Sequence, residues 1–317
     1  MFLTLIWCHK MTFITKKDIK LPKRNIGSHK GENGYVLAAG GSKDYAGAIT
    51  LAGLAALRSG CDLVKIVAPE KVAWAINAYS PDLVTMKLKG DYFELRDFSI
   101  VNNEMEKFDV LLIGNGIGLN DESKKFCKKT IKNIKKLKVI DADAIKSISM
   151  DDCENSIITP HAKELEKFLM NSKIEKTMTK RFINETNITN KSLIIKKIFN
   201  EKNIIKKSQL IKKTTQKFLD KNNVILLKGK TDIIISKNKI AYVKGGNPGM
   251  TKGGTGDVLA GLSAGFLAQS KDLLQSAVNA SYFNKKIGDI LLKKKKGFSY
   301  LASDMVGEIK KIRQIKI

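Results

Sequence analysis

The 317-residue chain reads as a three-layer α/β/α protein built on a doubly wound, mostly parallel sheet. Three observations predict this. Short apolar, β-branched runs alternate with helical patterns along most of the length. Several runs are apolar on both faces, as strands covered by helices on each side must be. Glycine-rich turns follow several of the runs, at the strand ends where such sheets bind their ligands.

In chain order, MFLTLIWCHK carries a short apolar stretch but neither a basic n-region nor a small-residue cleavage site, which argues against a signal peptide. Met11 opens a polar segment, so either Met1 or Met11 can serve as the start. Residues 1–24 are expected to form an N-terminal extension, partly disordered, ahead of one domain over 25–317. The first strand, 35–39, ends at Gly40-Gly41-Ser42. Tyr45-Ala46-Gly47-Ala48 then leads into a helix over 48–59 rich in small residues. Strand, glycine turn and helix make an anion-friendly junction. A strand at 63–68 and a helix at 69–78 follow.

The strand at 110–113 runs into Gly114-Asn115-Gly116-Ile117-Gly118, a GxGxG short of the full dinucleotide fingerprint. A helix at 122–136 leads to a strand at 138–141 that closes on Asp141-Ala142-Asp143. These paired carboxylates can hydrogen-bond a hydroxyl, hold a metal indirectly, or simply turn the chain. The strand at 156–159 ends in Thr159-Pro160-His161, with Glu164 in a helix over 162–169. His161, one of three histidines, is a binding candidate. Strands at 224–227 and 233–236 are joined by Lys228-Gly229-Lys230-Thr231-Asp232. That loop can line a nucleotide's phosphates or adenine, or be a hairpin turn with lysines in water. A strand at 241–243 and helices at 273–292 and 302–312 complete the pattern. No GxxxxGK[ST] occurs.

The most informative stretch is NPGMTKGGTGDVLAGLSAGFLAQ, from Asn247 to Gln269. Gly253, Gly254, Thr255 and Gly256 form a turn whose backbone amides can converge on one anion, and the helix read from Val258 adds its positive end. Asp257 stands at the edge. It can cap the helix or take a proton from a hydroxyl held beside a bound phosphate. Capping alone needs no run of glycines. The helix interleaves Gly261, Ala264 and Gly265 with large apolar residues, which suits close packing under a ligand.

Residues 170–222 break the alternation. They hold 14 basic and four acidic residues and no glycine or proline. Amphipathic helices are expected at 193–199 and 210–219, as a solvated surface insertion rather than a lid or partner-binding arm. The net charge of +26 invites a nucleic-acid reading, but only five of the 57 basic residues are arginine, and aromatics interleaved with the basic residues are sparse. Nucleic acid is therefore not the expected partner. A positive field still favours capture of a polyanionic small substrate. Four scattered cysteines without metal spacing fit a reducing cytosol, and no apolar run approaches a membrane span.

Together these pieces resemble the ADP/ATP-dependent NAD(P)H-hydrate dehydratases of the ribokinase-like superfamily. The resemblance runs in order over 25–312. It is carried by HKGENGYVLAAGGSKDYAGAITLAGLAALRSGCDLV from His29, LLIGNGIG from Leu111, VIDADAI from Val139, TPHAKE from Thr159, LLKG from Leu226 and NPGMTKGGTGDVLAGL from Asn247. It implies a repair lyase acting on the S-epimer of hydrated NADH or NADPH. ADP or ATP would phosphorylate the ring hydroxyl, phosphate would then be eliminated, and AMP or ADP would be released. It implies Asp257 as the base; Ala48, Gly116, His161 and Asp257 as contacts to the hydrated dinucleotide; and Lys228, Gly229, Lys230, Thr231, Asp232 and Gly256 as contacts to the nucleotide. Asp143 and Asn247 are further candidates. Magnesium would be held through the nucleotide phosphates, without an assigned protein ligand. The resemblance also implies a cytoplasmic homotetramer. Many members carry an N-terminal epimerase domain; about 25 residues precede the match here, so a separate epimerase would serve the pathway. Two departures stand out. The chain has Gly114-Asn115-Gly116 where the family often has GPG, and KGKTD where many members have KGxGT. A small-molecule kinase of the same superfamily is the alternative reading, since it would share the anion hole and the acid. A nucleic-acid or ribosome-associated protein is the third, motivated by charge alone.

Overall fold

The computed structural model describes residues 12–174 and 191–314. Its frame is a nine-stranded sheet in the order 3-2-1-4-5-6-7-8-9. The strands are β1 (Tyr35–Ala39), β2 (Leu63–Pro69), β3 (Val84–Leu88), β4 (Val110–Ile113), β5 (Leu137–Ile140), β6 (Ser156–Ile158), β7 (Val224–Leu227), β8 (Asp232–Ile235) and β9 (Ile240–Val243). β1 to β7 are parallel, while β8 and β9 are antiparallel. Strand order reverses between β1 and β4, and a crevice at the carboxyl ends is expected there.

The helices are α1 (Ala46–Ser59), α2 (Glu70–Tyr79), α3 (Asp97–Met105), α4 (Asp121–Asn133), α5 (Ala142–Ser147), α6 (Ala162–Asn171), α7 (Lys191–Asn200), α8 (Ile204–Thr214), α9 (Gln216–Asp220), α10 (Thr255–Ser270), α11 (Leu273–Lys294) and α12 (Ala302–Glu308). They sort onto the two faces of the sheet by the period-two alternation of the strands. Val36 and Ala38 face α1, α2, α10, α11 and α12 in one apolar cluster. Leu37 and Ala39 face α3 to α9 in the other.

Three elements escaped the sequence pattern. β3 is an edge strand with polar alternation and a half-exposed face, so it lacks the apolar run used to find strands. α3 is polar on most of its surface, and α5 is only six residues long. α10 begins at Thr255, not at Val258, which places Asp257 inside the first turn. The last helix gives way to a 3-10 turn after Glu308.

Two expectations about the margins change. Residues 12–24 pack against the domain: Ile14 and Ile19 are buried, Thr12 and Ile14 exchange backbone hydrogen bonds with Tyr242, and Arg24 pairs with Asp62 at 2.7 Å. Residues 1–11 lie outside the described residues. The lysine-rich segment is not simply solvated either. Ile195, Ile198, Ile211, Phe218 and Leu219 are buried in the second cluster, and Ser208 shares a 2.6 Å hydrogen bond with the Tyr242 hydroxyl. Lysines on the outer faces keep these helices wet while their isoleucines close the β7–β9 end of the sheet. The second predicted helix is two, divided at Thr215. Residues 175–190 of this segment lie outside the described residues.

α10 is apolar almost all round, with twelve residues buried, and it sits between α1 and α11. Its contact with α1 depends on absent side chains. A Cβ at Gly261 would collide with the Ala52 carbonyl oxygen, and one at Gly265 with Ser59 Oγ and the Ala56 carbonyl. In an exposed helix Gly→Ala gains up to about 1 kcal/mol. Here overpacking against backbone outweighs that gain, and Gly261→Ala is expected to lower unfolding free energy by about 1–3 kcal/mol in a urea titration.

Candidate active site

The carboxyl ends of β1, β4, β5, β6 and β7 deliver one loop each to the N-terminus of α10. Gly254 occupies the N-cap position with φ +91°, where a Cβ would press within 2.7 Å of Ala302 and Leu51. Asp257 is therefore the third residue of the helix and does not cap it. The Thr255 hydroxyl is committed elsewhere, donating to the carbonyls of Met250 and Lys252 at 2.7 and 3.0 Å. It pins the turn, so what remains for an anion is the backbone. The amides of a first helical turn have no intrahelical acceptor.

Asp257 instead faces the loop after β4. Asn115 Nδ2 donates to Asp257 Oδ1 at 2.7 Å and to Asp141 Oδ2 at 3.0 Å. Asp141 also accepts from Thr159 Oγ1 at 2.7 Å and lies 3.0 Å from Lys228 Nζ. Lys228 continues to Glu164 at 3.6 Å, and Glu164 to His161 Nε2 at 3.4 Å. Residues from five segments thus form one connected polar cluster. Gly114 makes it possible: at φ +119° its Cβ would strike the Asp141 carbonyl oxygen.

Burial pushes the Asp257 carboxyl up to about 7; the Asp141 charge adds to this, and Asn115 and Lys228 oppose it. Burial works against the Lys228 ammonium, but Asp141 and Glu164 more than offset it and raise its pKa. Burial lowers the His161 imidazole, against the pull of Glu164. Neutral His161 caps α6 by accepting from Glu164 N at Nδ1.

A cleft of ≈ 660 Å³ adjoins this cluster. It is lined by His161, Lys228, Gly229, Lys230, Asp232, Asn247, Thr255 and Gly256, among others. The expected nucleotide loop and the glycine turn therefore share one cavity. Thr231 does not contribute to that lining. Asp232 lines the cleft and also braces the loop, bonded to Gly229 N at 2.9 Å, Ser281 Oγ at 2.7 Å and Lys285 at 3.2 Å. Buried Lys285 also donates to the carbonyls of Gly229, Lys230 and Gly245. This buried pair fixes the loop that the family resemblance assigned to the nucleotide.

Ala48 and Gly116 lie across from each other on the β1 and β4 sides; a Cβ on Gly116 would come within 3.2 Å of Ala48 Cβ and 2.7 Å of the Tyr45 carbonyl. Asp143 is occupied with Gly118 N at 3.1 Å and Lys146 at 2.7 Å, bracing the β4 loop. Asn247 accepts from Tyr300 OH at 2.7 Å and from Gly249 N at 3.0 Å, shaping the approach to the glycine turn. Asn115, Lys285 and Tyr300 were missed as site residues. The only signal for Asn115 was its place in a glycine turn; the other two come from helix and loop positions with no motif.

A family model described as NAD(P)H-hydrate dehydratase matches residues 36–311. The chain belongs to that family. It is 37% identical over 303 residues to the bifunctional NAD(P)H-hydrate repair enzyme of Methanocaldococcus jannaschii, covering 94% of this chain and 52% of that one. It spans about half the length of the bifunctional relatives it matches. An ADP-dependent (S)-NAD(P)H-hydrate dehydratase of Cenarchaeum symbiosum is 31% identical over 287 residues, covering 87% and 88% of the two chains. The fold matches a ribokinase-like superfamily protein of Enterococcus faecalis with a TM-score of 0.75 at 24% identity, over 96% of each chain. The expected fold class is therefore correct, and the family resemblance is confirmed.

The electrostatics of Asp257 carry a stability consequence. Its folded pKa is raised above the unfolded value of 3.8. The favourable contribution of its protonated form is complete below that unfolded value and is lost as pH rises through about 7. Asp257→Asn removes this titration. The variant is expected to show a flatter dependence of urea midpoint on pH between pH 4 and 8 than the parent protein.

Proposed function

We propose that the chain dehydrates the S-epimer of hydrated NADH or NADPH at the expense of ADP or ATP, restoring the dihydronicotinamide. The observation that carries this reading is Asp257: a half-buried carboxyl, poised near neutrality, beside the first-turn amides of α10 and a cleft that reaches Lys228. Membership of the dehydratase family supports it.

In this reading the nucleotide lies in the cleft over Gly229 and Lys230, with its terminal phosphoryl at the amides of Gly253 to Gly256. Hydroxide is a poor leaving group. The ring hydroxyl, held between Ala48, Gly116 and Asp257, gives its proton to Asp257 as its oxygen bonds to phosphorus. The bond from phosphorus to the nucleotide's bridging oxygen breaks, and AMP or ADP departs with that electron pair. Phosphate then leaves with the electrons of the ring C–O bond, and a neighbouring ring carbon gives up a proton to restore the double bond. The helix amides stabilise charge on the transferring group, while Lys228 offsets negative charge between Asp141, Glu164 and the phosphates. His161 contributes a neutral, half-exposed edge to the dinucleotide side. Among the described residues no three His, Cys, Asp or Glu side chains cluster as a metal cage. Magnesium would be held through the nucleotide phosphates and would supply charge neutralisation there.

We extend the proposal to a cytoplasmic homotetramer that works alongside an epimerase activity. Cys61, Cys127 and Cys153 are free and buried, which suits a reducing compartment. No helix among the described residues is long and apolar enough to cross a membrane.

Purified protein supplied with hydrated NADH, magnesium and each nucleotide in turn is expected to regenerate the near-ultraviolet absorbance of NADH and to release free phosphate. A stable phosphorylated product without NADH would mean a kinase instead. Turnover should fall as pH drops below about 7, where Asp257 becomes protonated. Asp257→Asn should bind nucleotide normally yet lose about 10²- to 10⁴-fold in kcat. Near-normal kcat in that variant would remove Asp257 from the chemistry.

A further inference from the structure

Asn115 occupies an unusual position for a loop residue: it is fully buried and its single amide nitrogen bonds two carboxylates from different elements. Its backbone is clamped as tightly as its side chain. Gly41 N donates to its carbonyl at 2.9 Å, and the flanking Gly114 and Gly116 hold φ of +119° and +69°. The side-chain oxygen Oδ1 is buried and has no protein partner among the described residues. The orientation of the amide is thus set by the carboxylates alone, with one N–H turned to each. A proline at this position has no such donor.

We propose that Asn115 is a positioning residue, which holds the Asp257 carboxylate toward the reacting hydroxyl and keeps it apart from Asp141. This rests on reading Asp257 as the base. Without the bridge, two carboxylates at the ends of β5 and α10 would face one another directly. Lys228, at the end of β7, already bonds Asp141 and Glu164, and Glu164 bonds His161. The one cation in this cluster is therefore shared, and Asn115 supplies the only side-chain hydrogen bond to Asp257 among the described residues. Because the N–H turned to Asp257 favours its ionised form, loss of that donor makes Asp257 harder to ionise.

The test uses the full chain with Asn115→Leu, near in volume but without donors, and Asn115→Ser, smaller and retaining one hydroxyl donor. Two quantities are read: the pH profile of kcat, and the carboxyl titration of Asp257 by isotope-edited NMR in the free protein, its signal assigned by loss in Asp257→Asn. In Asn115→Leu both midpoints are expected to move to higher pH by about one unit or more. Turnover at neutral pH then falls about tenfold and partly recovers at alkaline pH, while KM for the nucleotide stays near that of the parent. Asn115→Ser should shift in the same direction by less, and it decides the matter if the leucine variant does not fold. Midpoints that stay in place, with kcat either unchanged or reduced equally at every pH, would overturn the proposal and leave Asn115 a packing residue. If the parent protein shows no dehydration at all, the functional reading fails by itself, and the Asp257 carboxyl titration still decides for or against Asn115.

Discussion

Helix α10 is buried on nearly every side, so its place is set by packing and not by its first turn. The glycines facing α1 let the two helices approach until backbone meets backbone. That approach brings the start of α10 level with the carboxyl ends of β1, β4, β5 and β7. Every other feature of the site follows from this placement. The glycine turn needs a left-handed residue at Gly254 to enter a helix so crowded, and the loop after β4 needs Gly114 to pass over Asp141. A protein interior packs too densely to adjust these positions one at a time.

The electrostatics follow from the same crowding. A carboxyl in the first turn of a surface helix would be solvated and acidic. At α10 it is shielded by the packed strand ends and faces a second carboxylate. Both effects raise its affinity for a proton, while one Asn115 N–H, the Asp257 backbone amide and one shared ammonium pull the other way. The balance falls near neutrality, where a general base both accepts a proton and is available to do so. This placement costs stability in the ionised form, the usual trade at a site organised for chemistry.

The sequence was informative wherever one physical requirement dominated. Strands covered on both faces must be apolar throughout, and β1, β4, β6 and β7 were found on that ground. Turns that bring backbone to an anion need glycine, and 253–256 announced itself. What stayed hidden depended on partners distant in the chain. β3 is recognisable as a strand only from its pairing with β2. Lys285 looks like any of the chain's many lysines until α11 carries it beneath the loop after β7. Asp232, which the family resemblance placed against the nucleotide, does line the cleft, but that Ser281 and Lys285 hold it there was not visible in the sequence. Asp257 was open between cap and base. Only the start of α10 at Thr255 shows that the cap position belongs to Gly254.

The cluster around Lys228 also clarifies what the abundant positive charge does and does not do. Most of the lysines lie at the surface, where screening limits each to a weak, long-range influence. Lys228 is different because it is enclosed and shared between Asp141 and Glu164. A nucleotide phosphate entering the adjoining cleft meets an ammonium already compensated by two acids, so the local field is not strongly attractive by itself. In the proposed reading, capture rests on the dispersed positive surface and on the helix amides, while Lys228 separates the phosphate side from the carboxylates. The same arrangement holds Asp141 in an ion pair with Lys228 and leaves Asp257 bonded to the Asn115 amide. The two acids therefore differ in their partners: Asp141 meets the ammonium directly, while at Asp257 Lys228 only opposes the rise that burial causes.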